Sequence, residues 1–303
     1  MKPGFVSAIL PELSLTELTD FAATNGYTCI EVCCWPLGKA ERRYAGVTHI
    51  DVDTLTGNEA ESIISSMKQK GVEISALGYY PNPLDPDRER ASFFIAHIKK
   101  VIDAATMLGL KNINTFVGRD KNLSVDKNLE KFAEVWPSII NYAESKGIRI
   151  GIENCPMIFT DDEWPGGNNL ATTPAIWRKL FSIAGSDNFG LNFDPSHLLW
   201  QQMDYVKPLY EFREKIFHVH LKDAKVDRDK LNDVGIMATP LQFHIPKLPG
   251  LGDIDWGRFI SALNDIRYKG AVCVEVEDKS FEGSVDERKY SLQIARRFLS
   301  QYL

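Results

Sequence analysis

Four short runs in this chain close an apolar stretch with side chains that bind hard or borderline metal ions. They are Gly151-Ile152-Glu153-Asn154, Asn192-Phe193-Asp194-Pro195-Ser196-His197, His218-Val219-His220-Leu221-Lys222-Asp223 and Val274-Glu275-Val276-Glu277-Asp278. An unpaired charge in such surroundings costs on the order of several kcal/mol, so each must be compensated. A separate ion pair would serve any one of them. For four such groups at the same end of consecutive strand-like runs, one shared cation is the simpler solution. Glu153, Asp194, His220 and Glu275 offer carboxylate oxygens and an imidazole, a set suited to Mn²⁺, Mg²⁺, Co²⁺, Fe²⁺ or Zn²⁺. Without thiolate in the set, a tetrahedral structural zinc is disfavoured.

Strand alternation adds neighbours to this group. Lys222 follows His220 by two and Glu277 follows Glu275 by two, while His218 lies one step deeper on the face of His220. Lys222 is a candidate to touch a substrate, the alternative being a salt bridge to Asp223 or a loop carboxylate. His218 reads as a hydrogen-bonded core residue. Glu31, in the run Cys29–Trp35, is either paired with a lysine or arginine or presented to a pocket. Trp35 could wall that pocket or simply pack, and Asn114 and His244 are weaker candidates for substrate contact.

Positioning these groups requires eight strands. Runs rich in β-branched residues recur at Phe5–Leu10, Cys29–Trp35, Glu73–Tyr80, Asn112–Gly118, Arg149–Pro156, Phe189–Asp194, Ile216–Asp223 and Ala271–Asp278, with helix-like segments between them. Strict alternation implies parallel strands. Ser14-Leu15-Thr16-Glu17 is a capping box, Thr173-Pro174 opens a helix, and Gly26, Gly71, Gly109 and Gly147 follow helices. Links from helix to strand are terse, whereas Pro36–Thr56, Met157–Thr172 and Ala224–Asp253 are long strand-to-helix links. In a (β/α)8 TIM barrel such links gather over the carboxyl ends of the strands, where active sites of that fold lie. An open doubly wound sheet shares the alternation, but no Gly-rich phosphate turn follows the first strand. The expected fold is therefore a single-domain α/β barrel over residues 1–303.

Bulk properties remove several classes of function. The chain has 303 residues, 44% of them hydrophobic, and a net charge of −6, with scattered rather than clustered basic residues. That argues against nucleic acid or an anionic membrane surface as partner. The first apolar run is too short for a signal core or a membrane span, so a cytoplasmic location is expected. The five cysteines are odd in number, and Cys29, Cys33, Cys34 and Cys273 lie in strand-like runs, which suits reduced, buried thiols. Cys29, Cys33 and Cys34 make a poor metal site, because adjacent strand residues face opposite ways.

Together these runs, with Pro249-Gly250-Leu251-Gly252-Asp253-Ile254-Asp255-Trp256, resemble the sugar phosphate isomerase/epimerase group of the xylose-isomerase-like TIM-barrel superfamily. The likeness spans nearly the whole chain. It implies that Glu153, Asp194, His220 and Glu275 bind one divalent ion, Mn²⁺ first among the candidates, that the two glutamates shuttle protons, and that His197 contacts substrate. Ketose 3-epimerases of the group carry an arginine six residues past the metal-bound histidine. Here that position is Val226, with Lys225 beside it, which argues against a free ketose as substrate.

The expected chemistry is proton abstraction beside a carbonyl, with Glu153 and Glu275 on opposite sides of a sugar and His197 and Lys222 on its oxygens. Proton return would give epimerisation or isomerisation; loss of a neighbouring group would give elimination, as in a 3-oxo-glycoside lyase or an inositol-ketone dehydratase. A metal-dependent phosphodiesterase of the apurinic-endonuclease type would want more histidines than six and a positive rim. A sugar-binding barrel without turnover is a third class, and the intact ligand set argues against it. The resemblance is also compatible with a homo-oligomer paired through the loop face.

Overall fold

A computed structural model describes residues 1–38, 45–158, 160, 164 and 166–303. Eight parallel strands close a barrel: β1 (Lys2–Val6), β2 (Cys29–Cys33), β3 (Glu73–Gly78), β4 (Asn112–Thr115), β5 (Arg149–Glu153), β6 (Phe189–Phe193), β7 (Ile216–Leu221) and β10 (Ala271–Val274). Their order around the barrel is β1-β10-β7-β6-β5-β4-β3-β2. Helices α1 (Leu15–Thr24), α2 (Gly57–Gln69), α3 (Arg88–Met107), α4 (Val125–Ser145), α5 (Pro174–Ala184), α9 (Trp256–Asp265) and α10 (Val285–Leu299) surround it, and the short α7 (Lys207–Glu211) precedes β7. Ser14 and Glu17 form the reciprocal cap of α1, and Thr56 and Glu59 repeat the device at α2. Thr173 caps α5 ahead of Pro174.

Every strand ends earlier than its run of residues suggested, and β1 also begins earlier. Apolar alternation continues past the last paired residue, because the chain stays buried while it turns away from its neighbours. After β1, Ser7–Ile9 forms a 3-10 turn, and the Ser7 hydroxyl accepts the Cys33 backbone N–H at 2.9 Å. The carboxyl-terminal groups of interest therefore stand at or just beyond the rim of the barrel. Such a position frees their side chains to converge.

The long link after β7 is structured. Strand β8 (Asp223–Val226) pairs antiparallel with β9 (His244–Lys247), enclosing α8 (Arg228–Val234). Asp223 makes no bond to Lys222. Its carboxylate instead accepts the backbone N–H of Ala224, Gly250 and Ile254 and the indole N–H of Trp256, at 2.8 to 3.1 Å. The Pro249–Trp256 motif is thus a clasp closing on Asp223.

The barrel interior departs from the usual filling of branched apolar side chains. Glu31, Asn114, Asn192, His218 and His220 are all fully buried there. Room for them comes from glycine: a Cβ at Gly78 would lie 2.7 Å from Glu31 Oε1, and one at Gly151 would lie 2.6 Å from Asn114 Oδ1. On the outer face of the barrel the core is conventionally apolar, with Trp136, Trp177, Phe132 and Phe189 buried. Among the described residues no helix is long and apolar enough to cross a membrane. All five cysteines are free, and only Cys155 is not fully withdrawn from solvent.

Candidate metal centre

Each of the four strand-end groups is aimed by its backbone. Glu153 is the last residue of β5, and Glu275 follows β10 directly. Asp194 follows β6 and is braced by Asn154: the Asp194 N–H donates to Asn154 Oδ1 at 2.8 Å, and Asn154 Nδ2 donates to the Asp194 carbonyl at 2.9 Å. His220 lies within β7. One ligand atom from each of Glu153, Asp194, His220 and Glu275 falls within 4.8 Å of the others. His220 Nδ1 lies 3.3 Å from Glu153 Oε1 and 3.6 Å from Glu275 Oε2.

The residues fit a divalent cation. Asp194 Oδ2 and His197 Nε2 are buried without a hydrogen-bond partner. They are 3.3 Å apart, but that contact has poor hydrogen-bond geometry. Besides Asp194 Oδ2, whose one cationic neighbour among the described residues is the Lys222 ammonium at 3.2 Å, the cluster offers two further carboxylates and an imidazole nitrogen, more negative charge than one ammonium neutralises.

Beneath the cluster, Glu31 receives His220 Nε2 at 2.7 Å, Asn114 Nδ2 at 3.0 Å and the Tyr80 hydroxyl. It therefore has neither of the two partners read from sequence: no lysine or arginine holds it, and it lies under the pocket rather than in its wall. Because a carboxylate only accepts, His220 Nε2 carries a proton, and Nδ1 is the nitrogen left to face the cluster. Asn114 shares this lower layer, committed to Glu31. His218 is hydrogen-bonded as expected, Nδ1 to Asn192 Oδ1 and Nε2 to the Ser75 hydroxyl, both at 3.0 Å.

Above the cluster, Lys222 Nζ reaches Glu275 Oε2 at 2.6 Å and both Asp194 Oδ2 and Glu277 Oε2 at 3.2 Å. His197, on the short helix α6 (Ser196–Leu199), accepts the Trp200 indole N–H on Nδ1 at 3.3 Å, so its Nε2 carries hydrogen toward Asp194 and Glu153. His244 stands farther out on β9, stacked on Trp200 with ring centroids 4.9 Å apart. A cavity opens over the carboxyl ends of the strands, lined on one side by Glu153, Lys222, Glu275 and Glu277. Trp35 forms part of the opposite, mostly apolar wall, its ring edge-on to Tyr79 at 4.9 Å.

Electrostatics divide the two glutamates. Burial, reinforced by the Glu275 charge, pushes Glu153 up to about 7. Burial alone would raise Glu275 too, but Lys222 and His220 outweigh it and hold that carboxyl well below the usual range. Burial raises Asp194 and depresses His197. For His220, burial is overcome by Glu31, Glu275 and Glu153, which keep the metal-free imidazole protonated well above its ordinary value. In the metal-free protein one carboxylate held ionised thus faces one able to carry a proton near neutrality.

Sequence reasoning did not single out Tyr80, Phe116 or Cys155, which line the cavity, or Asn192, which joins His218 to the Tyr80 hydroxyl. Tyr80 lies two residues beyond the end of β3, and nothing in its local pattern marks the phenol as Glu31's partner. Only the register between strands brings the two together.

Residues 19–302 match the family model described as the xylose isomerase-like TIM barrel. The chain belongs to that family. Among similar proteins, the uncharacterized protein YfiH of Bacillus subtilis (strain 168) is 25% identical over 99% of this chain and 100% of its own length. An inosose dehydratase of Clostridium perfringens is 31% identical over 41% of this chain and 44% of its own. Among solved structures, the IolI protein with a bound zinc atom superposes with a TM-score of 0.71 at 19% identity, covering 100% of this chain and 99% of that one. D-psicose 3-epimerase in the presence of D-fructose gives 0.72 at 17% identity with the same coverage. At these identities the two structures establish the shared fold.

Proposed function

We propose that this family member is a divalent-metal-dependent enzyme that moves a proton beside the carbonyl of a sugar or cyclic polyol ketone, as an isomerase or epimerase. The observation that carries the reading is the convergence of Glu153, Asp194, His220 and Glu275, with the two glutamates electrostatically opposed. An ion held by those four residues, Mn²⁺ being the first candidate and Zn²⁺ another, would supply Lewis acidity that makes the adjacent C–H acidic enough for a carboxylate.

The chain's own residues do the rest. Glu153 and Glu275 flank the substrate, one carboxylate taking the proton and the other returning it. His197 offers Nε2–H and Lys222 an ammonium hydrogen to substrate oxygens, stabilising negative charge as it forms. Trp35 and Phe116 give the sugar ring an apolar face and exclude water from the carbanion.

Elimination from the same carbanion is a second reading, favoured by a specific observation. Val226, at the place of the epimerases' arginine, is buried in the β8–β9 hairpin, and Lys225 is exposed, so neither side chain lines the cavity. The inosose dehydratase relatives point the same way. Incubation of the Mn²⁺ protein in D2O with ketohexoses, inosose and 3-oxo-glucosides tests both. Deuterium at the carbon next to the carbonyl supports proton transfer, and the product distinguishes epimer from enone. Turnover without solvent label would refute it in favour of hydride transfer.

A further inference from the structure

The cluster around Lys222 holds more carboxylates than one divalent ion needs. Glu153, Asp194, His220 and Glu275 form one donor set. Glu277 stands outside it, yet Glu277 Oε2, Asp194 Oδ2 and Glu275 Oε2 surround a second point, each within 3.2 Å of Lys222 Nζ. Asp194 and Glu275 belong to both sets. Carboxylates shared between two adjacent cation positions are the arrangement of two-metal sites, whose ions lie about 3.5–4 Å apart. Here the second position is filled by the chain itself. Lys222 is buried, its side chain only 4% exposed, so its ammonium is held by these three carboxylates rather than by water.

We propose that Lys222 is the built-in second cation of this centre and that it restricts the site to one divalent ion. The proposal rests on the metal-site reading given above. It separates this barrel from hydrolytic centres that clamp a phosphate between two or more ions, because a fixed monovalent ammonium neutralises the surplus carboxylates and cannot polarise a water as a metal does. It also suits enolisation: the ammonium remains available as a hydrogen donor beside a single Lewis-acid position.

The test is metal stoichiometry, read without reference to turnover. Full-length wild type, K222Q, K222M and the double variant K222Q/E277Q are saturated with Mn²⁺, and bound ion is counted by equilibrium dialysis and by electron paramagnetic resonance. Wild type is expected to hold one Mn²⁺ per chain. K222Q, and K222M should K222Q not fold, is expected to hold two, with the broadened resonance of a spin-coupled pair, and K222Q/E277Q is expected to return to one. Wild type holding two ions, or both lysine variants saturating at one, overturns the proposal while leaving the metal-site reading intact. Wild type holding none overturns the metal-site reading, and this inference with it.

Discussion

Loading the four-residue centre should be steeply dependent on pH, and the structure sets both slope and window. A bound ion needs Glu153 ionised and His220 Nδ1 free of its proton. Glu153 is pushed up to about 7, and His220 is held protonated well above its ordinary value. Binding an ion therefore displaces protons from both groups, and affinity rises with pH, the Glu153 proton alone giving about tenfold per unit below pH 7. Between pH 8 and pH 6 the Glu153 proton alone should raise the dissociation constant for Mn²⁺ about tenfold, or about 1.4 kcal/mol, and the His220 proton adds to that. Both folded-state values are raised, so in this window the metal-free fold loses stability as pH climbs, and the increment in Tm on adding Mn²⁺ grows from pH 6 to pH 8. Glu31 and Glu275, held low, are already ionised and contribute no slope there. Calorimetric titration in buffers of different ionisation enthalpy reads the released protons directly. A flat affinity between pH 6 and pH 8, with no proton release, would refute the assignment of Glu153 and His220 as ligands.

Three further outcomes follow from the same geometry. Glu31→Gln puts an amide N–H where His220 Nε2 and Asn114 now donate, and should weaken Mn²⁺ binding about 10- to 100-fold; unchanged affinity in a folded variant would show that the lower layer does not orient His220. Glu275→Gln removes one of the two carboxylates that shuttle the proton, so solvent deuterium incorporation should fall at least about a hundredfold in the folded variant; retained exchange would assign the proton transfer elsewhere. Asp223→Ala strands the N–H groups of Gly250, Ile254 and Trp256, and should cost about 4 kcal/mol in denaturant unfolding, a loss under about 1 kcal/mol contradicting the clasp.

Much of this was legible in residue order, for a physical reason. Strand periodicity places Glu153, His220 and Glu275 on the inward face, and a charge ending an apolar run must be compensated wherever the chain goes. Membership of the barrel class followed from alternation and from the asymmetry of link lengths. What could not be read is set by register and by close approach across the barrel. Glu31 and Tyr80 are 49 residues apart and meet only because β2 and β3 are paired and shifted at Ile30/Glu31. Of the ion-pair partners expected for Lys222, Asp223 is not one, because it turns into β8 and is consumed by backbone donors; the lysine meets Glu277 past the end of β10 and, beyond what was expected, Asp194 and Glu275. The β8–β9 hairpin escaped notice because its strands are only four residues long, β8 mostly buried and β9 mostly half-buried, and carry no clear alternation.

Lys222 is the sole residue between β7 and β8, so the barrel wall and the hairpin flap share it as a hinge pin. Tilting the flap would drag the ammonium across the mouth of the cavity. Engineers who exchange that flap for one from another barrel, hoping to retune substrate choice alone, would thereby also retune the field at the metal.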